Sequence, residues 1–231
     1  MKLFNELIPL IIAIILLPII GCNNKADDKI ILPAAAVRII HGVPGADSVS
    51  LLQSGNKIAV NKAYASLGDY TALAANTNFY SVAINNANSN LFTTIINFQP
   101  SVKYSLMVSD SFTTAKIKYT LLEENLPNIP ENKAGIKIIP LATNSNPIDM
   151  RWRDSINVAS ARSLNDFVSS PSLYDYAQID SGTGKISIRI TGVIPSADST
   201  IKRLQGGKLY TIIIKNGAVS NSPKMTIFQD N

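Results

Sequence analysis

The chain of 231 residues contains one cysteine, one histidine and one tryptophan. With one cysteine it cannot form an internal disulfide, so a hydrophobic core has to hold the fold together. An apolar fraction of 46 % is enough for such a core. Metal sites built from clustered His and Cys ligands are excluded, and we expect neither a metal nor another cofactor. The single histidine, His41, is predicted to hydrogen-bond a neighbouring loop rather than to act in catalysis.

A long, almost unbroken apolar stretch is also missing, except near the N-terminus between Leu7 and Ile20. Pro9 and Pro18 interrupt this stretch, and it is shorter than the ~20 residues that a membrane-spanning helix needs. A lysine precedes it, and a small residue and Cys22 follow it, which is the layout of a secretory signal. The ending resembles a bacterial lipobox. It predicts a signal peptide over residues 1–21 and a diacylglycerol on Cys22, with an uncleaved membrane anchor as the alternative.

Residues 22–34 are predicted to form a polar tether behind the acylated cysteine. Lys25, Asp27 and Asp28 resemble the export signal that sends Bacteroidetes lipoproteins to the cell surface. We therefore expect an outer-membrane lipoprotein held in the membrane through its lipid anchor. The cell surface is favoured over the periplasmic face.

The chain has few acidic residues in its second half, where residues 134–231 hold eleven basic and seven acidic side chains. Such a basic region outside the cell could meet an anionic glycan, although a mild excess of positive charge can also be a solvated face. Runs of Lys and Arg interleaved with aromatic residues are absent, so we do not expect nucleic acid as a partner.

Short segments rich in β-branched and aromatic residues predict strands along the chain. They cover residues 37–40, 79–84, 91–98, 104–108, 117–122, 185–191, 210–214 and 225–228. Asn216 and Gly217 predict a tight hairpin turn after residues 210–214. The one segment predicted to be a short helix is residues 156–166.

The two halves of the chain resemble each other. Val37-Arg38-Ile39-Ile40 corresponds to Ile136-Lys137-Ile138-Ile139, and Lys116-Ile117 to Lys224-Met225. A repeat near 100 residues is a domain duplication, because the periods of solenoids are shorter. The sequence predicts an all-β fold of two tandem immunoglobulin-like antiparallel β-sandwiches, residues 35–125 and 134–231, with a linker at residues 126–133.

The first repeat opens on a pattern that is similar to the start of the domain of unknown function 4397 family. Its residues here are Val37, Arg38, His41, Pro44, Ala46 and Val49. The second repeat has Pro140 in place of the histidine, and Ser50 stands where the second repeat keeps Asp149. The resemblance implies tandem β-domains in exported bacterial proteins. The family carries no established activity, so the resemblance implies nothing about chemistry.

Arg151, Trp152 and Arg153 are the candidate ligand-contact residues. An exposed indole between two guanidinium groups could stack on a sugar ring. The alternative is that Trp152 continues the apolar alternation of Ile148 and Met150 and fills the core.

Three Asp-Ser pairs resemble the Bacteroidetes O-glycosylation motif, with Ser48, Ser155 and Ser199 as acceptors. Asp180-Ser181-Gly182 is similar to an aspartic protease motif but occurs once, so a hairpin loop is the favoured interpretation. We therefore expect no catalytic residues.

The expected function is that of a non-catalytic surface binding or adhesion protein, which binds a glycan or an envelope protein. A structural spacer or subunit of an envelope complex is the alternative, and a hydrolase is the least favoured.

Overall fold

A computed structural model describes residues 33–61, 63–84, 90–109, 117–142, 146–164, 166–216 and 222–230. The predicted signal peptide, Cys22 and most of the tether lie outside these residues. The described residues of the first half form nine strands: β1 (Ala35–Gly42), β2 (Val49–Gln53), β3 (Asn56–Asn61), β4 (Ser66–Leu67), β5 (Thr71–Leu73), β6 (Thr77–Ile84), β7 (Asn90–Asn97), β8 (Lys103–Ser109) and β9 (Lys118–Glu123).

In the second half, the part of the chain that the structure describes forms eight strands and two short helices. The strands are β10 (Lys133–Pro140), β11 (Ile148–Trp152), β12 (Ile156–Arg162), β13 (Ala177–Asp180), β14 (Gly182–Ile190), β15 (Asp198–Leu204), β16 (Leu209–Asn216) and β17 (Pro223–Gln229). Helix α1 (Asp166–Ser169) and a 3₁₀ helix (Pro171–Tyr174) lie between β12 and β13. Among the described residues, no helix is long and apolar enough to cross a membrane.

The strands form four sheets, which we number by their order in the stack. Sheet I has the order β3-β2-β6-β7, and sheet II has the order β4-β1-β8-β9 with β5 also paired to β1. Sheet III has the order β13-β10-β16-β17, and sheet IV has the order β12-β11-β14-β15. The same strand order therefore occurs once in each half of the chain.

Within the described ranges, three apolar cores lie between the four sheets. The first contains Val37 and Leu106 of sheet II with Leu51 and Val82 of sheet I. The second fills the space between sheets III and IV, with members that include Ile136, Ile212, Met150, Trp152, Ile186 and Ile188. The third contains Ile40 and Met107 of sheet II together with Ile139 and Ile213 of sheet III. Residues 33–231 thus form one compact unit of two sandwiches packed against each other through sheets II and III.

Sheets II and III are buried on both faces and contain parallel strand pairs, which the predicted antiparallel sandwiches did not include. Strands β1 and β8 pair in parallel, and so do β10 and β16. Parallel pairs need a crossover connection and are found where both faces are covered. The crossovers run here through sheets I and IV, and the remaining pairs are antiparallel.

The all-β class and the sandwich architecture are confirmed, and the predicted strands all coincide with observed ones. The helix predicted over residues 156–166 is wrong, because β12 occupies residues 156–162 and pairs with β11 across two register shifts. Pairing with a neighbouring strand has overridden the weak helical preference of this segment. The tight Asn216-Gly217 turn is also wrong, since Asn216 pairs with Pro223 and leaves six residues between them.

Candidate functional site

The candidate ligand-contact residues Arg151, Trp152 and Arg153 end β11 and begin the turn that follows it. The Trp152 side chain points into the core between sheets III and IV and is 0 % exposed. Gly184 makes room for it, because a Cβ at position 184 would lie 2.7 Å from the indole ring. Arg153 covers the indole, with its guanidinium carbon 5.2 Å from the ring centroid.

The hypothesis that Trp152 stacks on a sugar ring is therefore wrong, and the core alternative explains this residue. A buried indole with an arginine over it cannot reach a ligand in solvent. Arg151 points the opposite way, to the outer face of sheet IV, because successive side chains of a strand alternate between faces.

The outer face of sheet IV is basic. Four cations lie on it, from β11, β14 and β15: Arg151, Lys185, Arg189 and Arg203. Two carboxylates accompany them, since Arg189 pairs with Asp149 at 3.2 Å and Lys185 pairs with Asp154 at 3.3 Å. Arg151 donates to the backbone carbonyl of Asp154 at 3.3 Å. This leaves an excess of two positive charges on one exposed face.

Asp149 fixes the edge of this face through three hydrogen bonds. It accepts from the Ala161 backbone N–H at 3.0 Å, the Thr191 hydroxyl at 2.7 Å and the Arg189 guanidinium at 3.2 Å. Partial burial would raise the pKa of Asp149, but these donors lower it below its ordinary value. The equivalent Ser50 is fully buried and its hydroxyl has no partner among the described residues.

The outer face of sheet I differs from that of sheet IV. Phe79 and Ile95 lie directly opposite each other on β6 and β7 and are 61 % and 59 % exposed. Leu52, Ser81 and Ala83 continue this face without charge across β2 and β6, and Lys57 of β3 lies opposite Leu52. The two ends of the stack therefore present surfaces of different chemistry.

The three candidate glycosylation sites differ in accessibility. Ser48 is 1 % exposed and its hydroxyl is buried, so the structure contradicts it as an acceptor for a bulky glycan. Ser155 lies exposed in the turn after β11, and Ser199 lies exposed on β15. Those two remain accessible.

His41 and Asp180 occupy structural positions. His41 is fully buried at the end of β1, where Nε2 bonds the Ala46 carbonyl at 3.1 Å and Nδ1 accepts from the Val43 N–H at 3.3 Å. Burial lowers the pKa of His41, in keeping with a neutral ring that closes this loop. Asp180 bonds Lys133 at 2.6 Å where the chain passes from sheet III to sheet IV, so the predicted hairpin loop is wrong. Among the described residues, no three His, Cys, Asp or Glu side chains cluster to hold a metal.

Among the residues that the structure describes, four buried charges lie between sheets II and III, and the sequence reasoning missed them. Arg38 of β1 pairs with Asp230 at 2.6 Å, and Lys137 of β10 pairs with Glu124 at 2.5 Å. Arg38 also donates to Glu124 at 2.8 Å, so the two ion pairs are connected to each other. All four side chains are at most 3 % exposed. We call Arg38, Glu124, Lys137 and Asp230 the buried charge cluster.

Hydroxyl groups complete the buried charge cluster. Glu124 accepts from Ser105 and, at 2.8 Å, from Tyr174. Asp230 accepts from Thr211 at 2.5 Å and from Tyr176 at 2.8 Å. Burial would raise the pKa of Glu124, but Lys137 and Arg38 lower it to about 2. Two cations and two anions cancel, so the cluster is neutral overall.

The two halves contribute to this cluster in the same way. Arg38 pairs with Ser105 across β1 and β8 as Lys137 pairs with Thr211 across β10 and β16. A similarity between two segments of the sequence could have indicated this correspondence: Ser66-Leu67-Gly68-Asp69-Tyr70 in the first half resembles Ser172-Leu173-Tyr174-Asp175-Tyr176 in the second half. The register also corrects one predicted correspondence, since Lys118 rather than Lys116 occupies the position of Lys224.

The comparisons with known proteins identify a family. The domain of unknown function DUF4397 matches residues 35–151, from β1 to β11, which is half of the chain. No curated protein matches the chain. The matched segment contains the opening pattern from Val37 to Val49 that carried the resemblance. The chain belongs to the DUF4397 family.

Proposed function

We propose that this chain is a lipid-anchored envelope protein that binds an anionic glycan, without catalysis, on the outer face of sheet IV. The observation that carries the proposal is the excess of cations over carboxylates on that face. Exposed cations attract a polyanion over distances of about 10 Å at moderate salt. Thr183 and Ser199 add exposed hydroxyl groups to the same face.

Surface plasmon resonance with immobilised alginate, a polymer of carboxylate-bearing sugars, tests the binding. The wild-type protein is expected to bind alginate more weakly as salt rises, and not to bind neutral dextran. Replacing both Arg151 and Arg203 by alanine should weaken binding about fivefold, since each exposed charge contributes about 0.5 kcal/mol. Lys57→Ala, on β3 of sheet I, is the matched control and should change little. Equal losses in both variants would contradict the site.

The membrane anchor rests on the sequence around Cys22 and needs its own test. Protease treatment of intact cells, followed by immunoblot, should remove the wild-type protein if it lies on the cell surface. Protection until the outer membrane is opened would favour the periplasmic face. A Cys22→Ala variant should not incorporate labelled palmitate, and labelling equal to that of the wild-type protein would contradict lipidation of Cys22.

A rigid envelope spacer is the second candidate function. The buried charge cluster and the core of Ile40, Met107, Ile139 and Ile213 support it, because they join the two sandwiches into one unit. A spacer requires this rigidity but no ligand. Periplasmic location together with no binding to alginate would favour the spacer over the glycan-binding protein.

A further inference from the structure

A cleft of about 210 Å³ opens beside the buried charge cluster on one side of the interface between the sandwiches. The segment between β4 and β5 forms one wall and the end of β17 forms the other. Its lining includes Arg38, Leu67, Gly68, Tyr70, Phe228 and Asp230. Arg38 and Asp230 are nearly fully buried, so they form its floor.

Each of these lining residues has an equivalent in the other half of the protein. The pairing of Val37 with Thr71 matches that of Ile136 with Ala177, which sets the correspondence between the two halves. Arg38 corresponds to Lys137, Leu67 to Leu173, Gly68 to Tyr174, Tyr70 to Tyr176, Phe228 to Leu122 and Asp230 to Glu124. The register of β17 and β9 confirms the last two, since Gln229 pairs with Tyr210 as Glu123 pairs with Tyr104.

On the equivalent side, Tyr174 covers the cluster. Its hydroxyl donates to Glu124 at 2.8 Å, and its ring centroid lies 3.8 Å from the Lys137 ammonium. Tyr174 is 5 % exposed and packs against Phe167. A phenol group is therefore part of the cluster in the second half of the chain.

In the first half, glycine takes the sequence position of this tyrosine. The Gly68 N–H donates to the Ile39 carbonyl at 2.8 Å, and a Cβ at position 68 would lie 3.1 Å from the same oxygen. A side chain would crowd this strand, so the chain supplies no counterpart of Tyr174 here. Tyr70, the equivalent of Tyr176, also lines the cleft, with its ring centroid 4.8 Å from the guanidinium carbon of Arg38.

The floor of the cleft keeps unused hydrogen-bonding capacity. Arg38 donates through three of its five N–H groups to described residues, and Asp230 Oδ1 accepts from Arg38 alone among them. A carboxylate oxygen can accept two hydrogen bonds. A ligand hydroxyl could therefore donate to Asp230 as the Tyr174 hydroxyl donates to Glu124.

We propose that this cleft binds an uncharged phenol, which takes the place that Tyr174 occupies in the other half. A cavity of about 150 Å³ holds benzene in another protein, so the cleft has room for a substituted phenol ring. Because the buried charge cluster is already neutral and Asp69 adds a negative charge to the lining, an anionic ligand would add an uncompensated charge at a desolvated site. The phenol can be a free aromatic compound or the tyrosine side chain of a partner peptide.

Titration of the ¹⁵N-labelled protein with p-cresol, followed by NMR, tests the proposal. p-Cresol should shift the amide signals of Gly68 and Gln229 with a dissociation constant of about 1 mM, as expected for so small a ligand. Toluene, which lacks the hydroxyl, should bind about tenfold more weakly. Benzoate should not bind. Tighter binding of N-acetyltyrosinamide than of p-cresol would indicate a peptide source, and the reverse a free compound.

Phe228→Ala and Leu122→Ala form a matched pair for this experiment, because both residues are half-buried at equivalent positions. Phe228→Ala removes one wall of the cleft and should weaken p-cresol binding about tenfold. Leu122→Ala perturbs the opposite side and should leave binding unchanged. Three results would overturn the proposal: no shift at Gly68 or Gln229, equal affinity for toluene, or equal weakening by the two variants.

Discussion

At the scale of single residues, the molecule depends on charges that are buried between two sheets. Isolated buried charges are expensive to desolvate, and they are tolerated where partners and hydrogen bonds satisfy them. Glu124 receives donors from Arg38, Lys137, Ser105 and Tyr174. This one carboxylate therefore links three strands of sheets II and III with the 3₁₀ helix.

Glu124→Gln is expected to destabilise the protein by about 3–5 kcal/mol. The substitution leaves the two buried cations, Arg38 and Lys137, with Asp230 as the one carboxylate of the cluster. Removing one partner of a buried ion pair costs about 3–5 kcal/mol. Urea unfolding followed by circular dichroism measures the change. The neighbouring Glu123→Gln, at an exposed position of β9, is the control and should change stability by less than about 0.5 kcal/mol. A Glu124→Gln effect no larger than that of the control would contradict the role of the cluster.

Trp152 is expected to emit like an indole in an apolar core. Because it is fully buried under Arg153, its fluorescence should be blue-shifted and protected from acrylamide. Added alginate or dextran should leave the spectrum unchanged, even where alginate binds to the outer face of sheet IV. A red-shifted emission that a polysaccharide alters would contradict the position of the indole.

At the scale of strands and sheets, the central elements differ from the outer ones in how many faces they bury. Strands β8 and β16 are buried along most of their length, since one face meets a sandwich core and the other meets the interface. β15, at the edge of sheet IV, is exposed at most positions, and Ile201 is 76 % exposed. Local stability should follow this difference.

Amide hydrogen exchange is expected to be slowest in β1, β8, β10 and β16. Opening these strands would expose two apolar faces, whereas opening β12 or β15 exposes one face at a sheet edge. Exchange followed by mass spectrometry or NMR gives the order. Protection of β15 equal to that of β16 would contradict the stacked arrangement.

The sequence predicted several strands, such as β14, but neither β12, which was predicted as a helix, nor the stacking of the sheets. Alternation along Ile186, Ile188 and the intervening polar residues is a local property, so β14 could be identified from a few residues. Arg38 and Lys137 lie on strands whose opposite faces both meet apolar layers, and alternation predicts a charged side chain on a solvent face. Their burial arises from the contact between the two halves, which is a long-range property of the fold.

The candidate site was also predictable only in part: its charge could be predicted from the sequence, but the position of Trp152 could not. The positive charge of the second half was visible in the composition, and Arg151 reaches the outer face of sheet IV as the alternation implies. Trp152 shows the limit of this reasoning, since one strand pattern fits either a stacking platform or a core residue. The outcome depended on Gly184, which lies on the neighbouring strand and leaves the space for the indole.

At the scale of the whole molecule, the two sandwiches form one unit because their contact face is both apolar and ionic. Asp230 lies after the last strand of the second half and reaches Arg38 in the first strand of the first half. Glu124 and Lys137 make the reciprocal contact. Loss of charge in this contact therefore affects the stability of the entire fold rather than one sandwich.

Acid is expected to weaken the protein through Glu124. Its pKa is about 2 in the folded protein and 4.5 ordinarily, so the folded state favours the carboxylate. This stabilisation is complete above the ordinary pKa and is lost as the pH falls towards about 2. Wild-type stability should drop by about 2 kcal/mol more than that of Glu124→Gln between pH 5 and pH 3. Urea unfolding at both pH values measures the difference, and a gap between the two proteins that stays constant with pH would show that Glu124 has no depressed pKa.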